Sequence, residues 1–68
     1  MAIQSVIFDK KHYNIQQAMA YLKKHNLRNI KAAHITENFI RMRIEQPIYQ
    51  NYITRQATDP NVKYIVGF

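Results

Sequence analysis

The sequence contains no cysteine and no tryptophan, one glycine, one serine and two prolines. Without cysteine there is neither a disulfide staple nor a thiolate metal site, a composition that suits a reducing, intracellular setting. Gly67 is the only glycine, so no glycine-rich phosphate loop can form. Ser5, the only serine, falls inside an apolar strand pattern, a poor place for a nucleophile. No apolar run approaches the ~18 residues of a membrane span, and the first residues lack the charged-then-apolar pattern of a signal peptide. The chain therefore reads as soluble, not secreted by that route and not embedded in a membrane.

Acidic residues are also scarce. Asp9, Glu37, Glu45 and Asp59 are scattered at the ends of elements, whereas acid/base catalysis needs two carboxyl groups converging on one cleft. His12, His25 and His34 show no i, i+4 partner of the kind that places two metal ligands on one helix face. His12 with Asp9 is the nearest approach to a metal pair, and a structural zinc site wants four ligands. No catalytic residue, no metal site and no cofactor is expected. The protein is expected to act by binding and not as an enzyme.

What is present is a single domain over residues 1–68, with 47% hydrophobic residues and enough aromatics, five Tyr and three Phe, to seed a core. A chain of this length buries only about 60% of its unfolded surface, so strong local signals matter. Ten Lys and Arg against four Asp and Glu leave a net charge of +6. Such an excess favours polyanionic partners, nucleic acid first among them, although it also serves solubility alone.

The elements follow from pattern. Residues 3–8 are β-branched and aromatic with apolar residues at both parities, which predicts a buried strand ending at Asp9-Lys10-Lys11. Asn14 is a good helix N-cap, and Gln17 sits three residues on, where a capping-box partner belongs. Ile15, Ala18, Met19 and Leu22 recur at i, i+3, i+4 and i+7 and predict a helix over residues 15–25. Lys23, Lys24 and His25 favour its C-terminal dipole, Asn26 can stop it in the left-handed region, and Leu27 can fold back. Residues 30–36 suggest a second strand, although Ala32-Ala33 is a weak β former.

A turn at Glu37-Asn38 leads to the strictly alternating segment 39–45. There Ile40, Met42 and Ile44 face one way, and Phe39, Arg41, Arg43 and Glu45 the other. Pro47 ends the strand, and residues 48–51 suggest a helical turn. Residues 52–58 and 62–67 read as a hairpin closed by Asp59-Pro60-Asn61. The prediction is an α+β fold of order β-α-β-β-β-β, in which one helix covers one face of a predominantly antiparallel sheet. Leu22, Ile40, Met42 and Ile44 should be buried.

The other sheet face would carry Arg41, Arg43 and Phe39, continued by Arg55 and Lys63 from the hairpin. Arginine offers a planar fork matched to phosphate, and an aromatic ring offers a stacking surface, a combination that can hold single-stranded nucleic acid. Alternation alone also explains Arg41 and Arg43 as a solvated face. The pairs Lys10-Lys11 and Lys23-Lys24 read as solvated ends. The alternative to nucleic acid is a protein-interaction or assembly module that uses the same face, or an exposed edge strand, to bind a homodimer mate or another chain. Inhibition of a host factor is a further form of that alternative.

The stretches Ser5-Val6-Ile7-Phe8-Asp9-Lys10-Lys11, Ala18-Met19-Ala20-Tyr21-Leu22-Lys23-Lys24-His25, Thr36-Glu37-Asn38-Phe39-Ile40-Arg41-Met42-Arg43 and Val62-Lys63-Tyr64-Ile65-Val66-Gly67-Phe68 together resemble a small domain of large double-stranded DNA viruses. Similar stretches occur in some phage proteins. The resemblance covers nearly the whole chain and brings no active site, because the family has no settled activity. It implies a viral accessory protein working inside an infected host cell, with a place in the virion as a further implication.

Overall fold

A computed structural model describes residues 2–68. In chain order the elements are β1 (Ala2–Asp9), α1 (Ile15–Lys24), β2 (His34–Ile35), β3 (Phe39–Arg43), β4 (Tyr52–Gln56) and β5 (Val62–Gly67). The fold is α+β: one helix beside one sheet, with strand order β2-β3-β1-β5-β4 and every pairing antiparallel. The most apolar strand, β1, lies at the centre. Val6 and Phe8 are fully buried towards the helix and Ser5 is fully buried on the opposite face, whereas Ile7 and Asp9, on that opposite face, are only half-covered.

Local signals shape the helix. The Asn14 side chain accepts from the Gln17 backbone N–H at 2.8 Å, and Gln17 Oε1 accepts from the Asn14 N–H at 2.9 Å, a closed capping box. At the other end His25 is the cap and Asn26 adopts φ 58°, a left-handed conformation that asparagine tolerates. The Leu27 N–H reaches the Leu22 carbonyl at 2.7 Å and the Asn26 N–H reaches the Lys23 carbonyl at 3.1 Å, completing a Schellman motif.

The core joins Val6 and Phe8 of β1, Ile40 and Met42 of β3 and Val62 of β5 to Ala18 and Leu22 of the helix. Burying a leucine such as Leu22, 2% exposed, contributes about 1.5–3 kcal/mol. Two of the residues expected in the helix stripe are not buried: Ile15 is 41% and Met19 48% exposed. The helix is rolled so that Tyr21 faces the sheet instead. Its ring packs edge-on against Phe8 at 5.4 Å, and its hydroxyl meets that of Tyr64 at 2.5 Å. Burial and the shared hydroxyl bond hold the Tyr21 phenol well above its ordinary pKa.

Other boundaries also move. The second strand shrinks from the expected 30–36 to His34–Ile35, because residues 30–33 keep only an isolated bond along the sheet, from Ile30 N–H to the Arg43 carbonyl at 2.8 Å. The third strand ends at Arg43, so Ile44 is only half-buried and Glu45 lies in the following loop. Residues 48–51 form no helical turn, and the fourth strand ends at Gln56, where the hairpin turn begins.

Candidate nucleic-acid interface

Pairing register decides which side chains share a face. Phe39, Arg41 and Arg43 on β3 stand opposite Asp9, Ile7 and Ser5 on β1. Ile7 and Ser5 are in turn opposite Lys63 and Ile65 on β5. Since His34 is opposite Arg41 and Gln56 is opposite Lys63, one row across the sheet reads His34, Arg41, Ile7, Lys63, Gln56. Neighbours in such a row are ~5 Å apart along the hydrogen-bonding direction. Phe39, 43% exposed, stands in the adjacent row beside Asp9. Three of the expected contacts, Phe39, Arg41 and Arg43, are therefore brought together on one strand, with Lys63 two strands away on the same face.

Arg55 is not among them. It stands opposite Tyr64, whose hydroxyl meets the helix residue Tyr21, so Arg55 belongs to the helix-bearing face. The hairpin register places it at odd parity to Lys63, which is opposite Gln56.

A polar chain beneath the face, not foreseen from the sequence, orients Arg41. Its Nε–H points to the fully buried Ser5 Oγ at 3.4 Å, Ser5 Oγ–H donates to Gln4 Oε1 at 2.6 Å, and Gln4 Nε2 donates to the Glu45 carbonyl at 3.1 Å. The first of these is long and weak. Its geometry engages the Nε edge, and among the described residues the terminal nitrogens of Arg41 have no hydrogen-bond partner. Gln4 can enter the interior because β1 bulges between Ile3 and Ser5, and the Gln4 carbonyl accepts from the N–H groups of both Ile44 and Glu45. The sequence signal was a Gln-Ser pair inside an apolar strand. Among the described residues, no buried side-chain nitrogen or oxygen lacks a partner.

At the far end of the face the Tyr49 side chain lies against Gly67, so closely that a Cβ there would meet it at 2.3–2.8 Å. Tyr49 donates to Glu45 Oε2 at 2.5 Å, which raises the phenol's pKa, and its backbone N–H donates to the Tyr52 hydroxyl at 3.1 Å. Two hollows open on the face. One, of about 310 Å³, is lined by Lys31, Ala32, His34, Arg41 and Arg43. The other, of about 240 Å³, is lined by Ile7, Asp9, Phe39, Pro60, Asn61 and Lys63.

No family model, curated protein or solved structure matches this chain. The resemblance to a viral domain gains no support from relatives, so the functional reading rests on the surface itself. Among the described residues no three His, Asp or Glu side chains form a group able to hold a metal, and no helix is long and apolar enough to cross a membrane. On the helix side, an apolar groove of about 490 Å³ runs between the start of α1 and β2, lined by Tyr13, Ile15, Ile35 and Ile40 with Lys10 at its rim.

Proposed function

We propose that this chain is a small nucleic-acid-binding protein that holds single strands across the open face of its sheet and performs no catalysis. The observation that carries this reading is the shared face of Arg41, Arg43 and Lys63 with the half-exposed ring of Phe39. The cations neutralise phosphates, and the ring offers a surface on which any base can stack. The net charge of +6 draws a polyanion from a distance. Under the viral resemblance, this is an accessory role inside the host cell.

Fluorescence anisotropy with labelled single- and double-stranded oligonucleotides, over a series of salt concentrations, tests the reading. Affinity for single strands should fall linearly in log–log form as salt rises. Binding undetectable at low salt, in protein shown to be folded, overturns it. The groove between α1 and β2 favours a second reading, a protein-interaction module, because Ile15 and Ile35 remain 41% and 45% exposed beside the two-residue edge strand. That interaction would resist salt.

A further inference from the structure

We infer that the hollow beside Phe39 is a seat for one nucleobase, and that it prefers guanine. The inference rests on the single-strand reading above and adds base selectivity to it. The hollow, about 240 Å³, lies where β1, β3 and the β4–β5 turn meet. Phe39 supplies an aromatic surface at one side, and Asp9 stands directly opposite it across the strand pair. Pro60 and Asn61 bound the hollow from the hairpin turn, and Lys63 bounds it from β5.

Asp9 is an unexpected neighbour for a phosphate-binding surface. A carboxylate repels phosphate, but it is an acceptor for the N–H groups on the edge of a base. Its position is fixed by its surroundings. The Asp9 N–H donates to the Asn61 carbonyl at 2.9 Å, and the Asp9 carbonyl accepts from the N–H groups of His12 and Tyr13 at 3.0 and 2.9 Å. Oδ1 accepts from the Lys11 N–H at 2.9 Å, while among the described residues Oδ2 has no hydrogen-bond partner. The carboxylate is thus held at the edge of the hollow with acceptor capacity to spare.

Base chemistry then ranks the occupants. Guanine alone presents two adjacent donors, N1–H and the 2-amino group, on its Watson–Crick edge, which suits a carboxylate. Cytosine and adenine present one amino group there. Thymine and uracil flank their single N–H with two carbonyls that a carboxylate repels. Single-stranded nucleic acid exposes this edge, and duplex hides it. The Lys63 ammonium, on the same hollow, provides a donor for the acceptor side of guanine or for its phosphate.

Competition anisotropy decides the matter with three strands of about eight nucleotides, a length within the range a sheet surface occupies. One is all dT, one carries a single central dG, and one carries inosine, which lacks the 2-amino group, at that place. The dG strand should bind about 5- to 100-fold more tightly than the all-dT strand, with inosine between them. In Asp9→Asn the dG preference should collapse, while affinity for the all-dT strand stays level or rises because a negative charge has gone. A merely structural role for Asp9 would weaken all strands alike.

Equal wild-type affinity for dG and dT strands, or a preference that survives in Asp9→Asn, overturns the seat and leaves the nucleic-acid reading standing. Failure of every strand to bind overturns both. Should Asp9→Asn lose its fold by circular dichroism, the inosine strand decides on wild-type protein: affinity equal to that of the dG strand overturns the seat.

Discussion

Tyr13 donates its hydroxyl hydrogen to Asp59, joining the residue before the helix cap to the turn between β4 and β5, 46 positions further along the chain. The bond clips one end of the helix layer onto the far hairpin. Around it the rings of Phe8, Tyr13 and Tyr21 lie 5.0–6.3 Å apart, so polar and aromatic contacts close the same corner of the core.

This clip has a pH signature. The bond from Tyr13 lowers the Asp59 carboxyl below its ordinary 3.8, so the stabilisation it gives is present above that value and is lost as pH falls through the folded-state value. The same bond, with burial, raises the Tyr13 phenol from 10.0 to about 12, so stabilisation is present below pH 10 and is lost as pH rises towards about 12. Tyr13→Phe should therefore melt at a lower temperature than wild type at neutral pH. The gap should narrow at both extremes when Tm is followed by circular dichroism from acid to alkali.

Leu22→Ala should cost ~2–5 kcal/mol, because Leu22 is buried between helix and sheet with no solvent to fill the space it leaves. In a domain of this size that is enough to unfold much of the population at room temperature. Urea denaturation followed by circular dichroism would report it. The matching changes Ile15→Ala and Met19→Ala should cost far less, since both side chains are already half in water.

Gly67→Ala should destabilise by ~1–3 kcal/mol, because the new methyl would occupy the place of the Tyr49 ring. Displacing that ring also breaks its bond to Glu45. Pairing the change with Tyr49→Ala should recover part of the loss, a coupling that a double-mutant cycle in urea would measure.

If the proposed nucleic-acid reading holds, Arg41→Ala with Arg43→Ala should lower the slope of log affinity against log salt by about two, one for each phosphate contact removed. Arg55→Ala should leave that slope nearly unchanged, because its side chain belongs to the opposite face. Phe39→Ala should weaken single-strand binding by ~1–3 kcal/mol and alter the slope little, as the loss of a stacked base would. Anisotropy titrations at several salt concentrations separate the three outcomes.

Much of this was legible in the sequence where the cause is local. The capping box at Asn14 and Gln17, the left-handed Asn26 and the alternation of residues 39–43 each depend on neighbours within a few positions. The roll of the helix was not, because two overlapping stripes compete for the core. Ala18 and Leu22 belong to both, and only the sheet's Phe8 and Tyr64 select Tyr21 over Met19. The face of Arg55 was hidden for a similar reason. Alternation shows that residues share a face within one strand, but which face depends on register with the next strand, set here by the hairpin turn. The bonds of Gln4 and Ser5 were hidden too, because they depend on the bulge in β1 and on the distant Glu45 carbonyl.

The position of β1 between β3 and β5 has a consequence for the birth of the molecule. β1 is synthesised before both of its partners and waits for β3 to cover one edge and for β5, residues 62–67, to cover the other. A nascent chain that has emerged only as far as β3 can seat the helix on a three-stranded partial sheet, with one side of its most apolar strand unpaired. Pairing of residues 2–8 with residues 62–67 closes nearly the whole chain into one loop, which slows folding relative to a helical bundle of the same length. During that interval the unprotected edge of β1 is the segment a chaperone would find, or a neighbouring nascent chain would misread as its own partner.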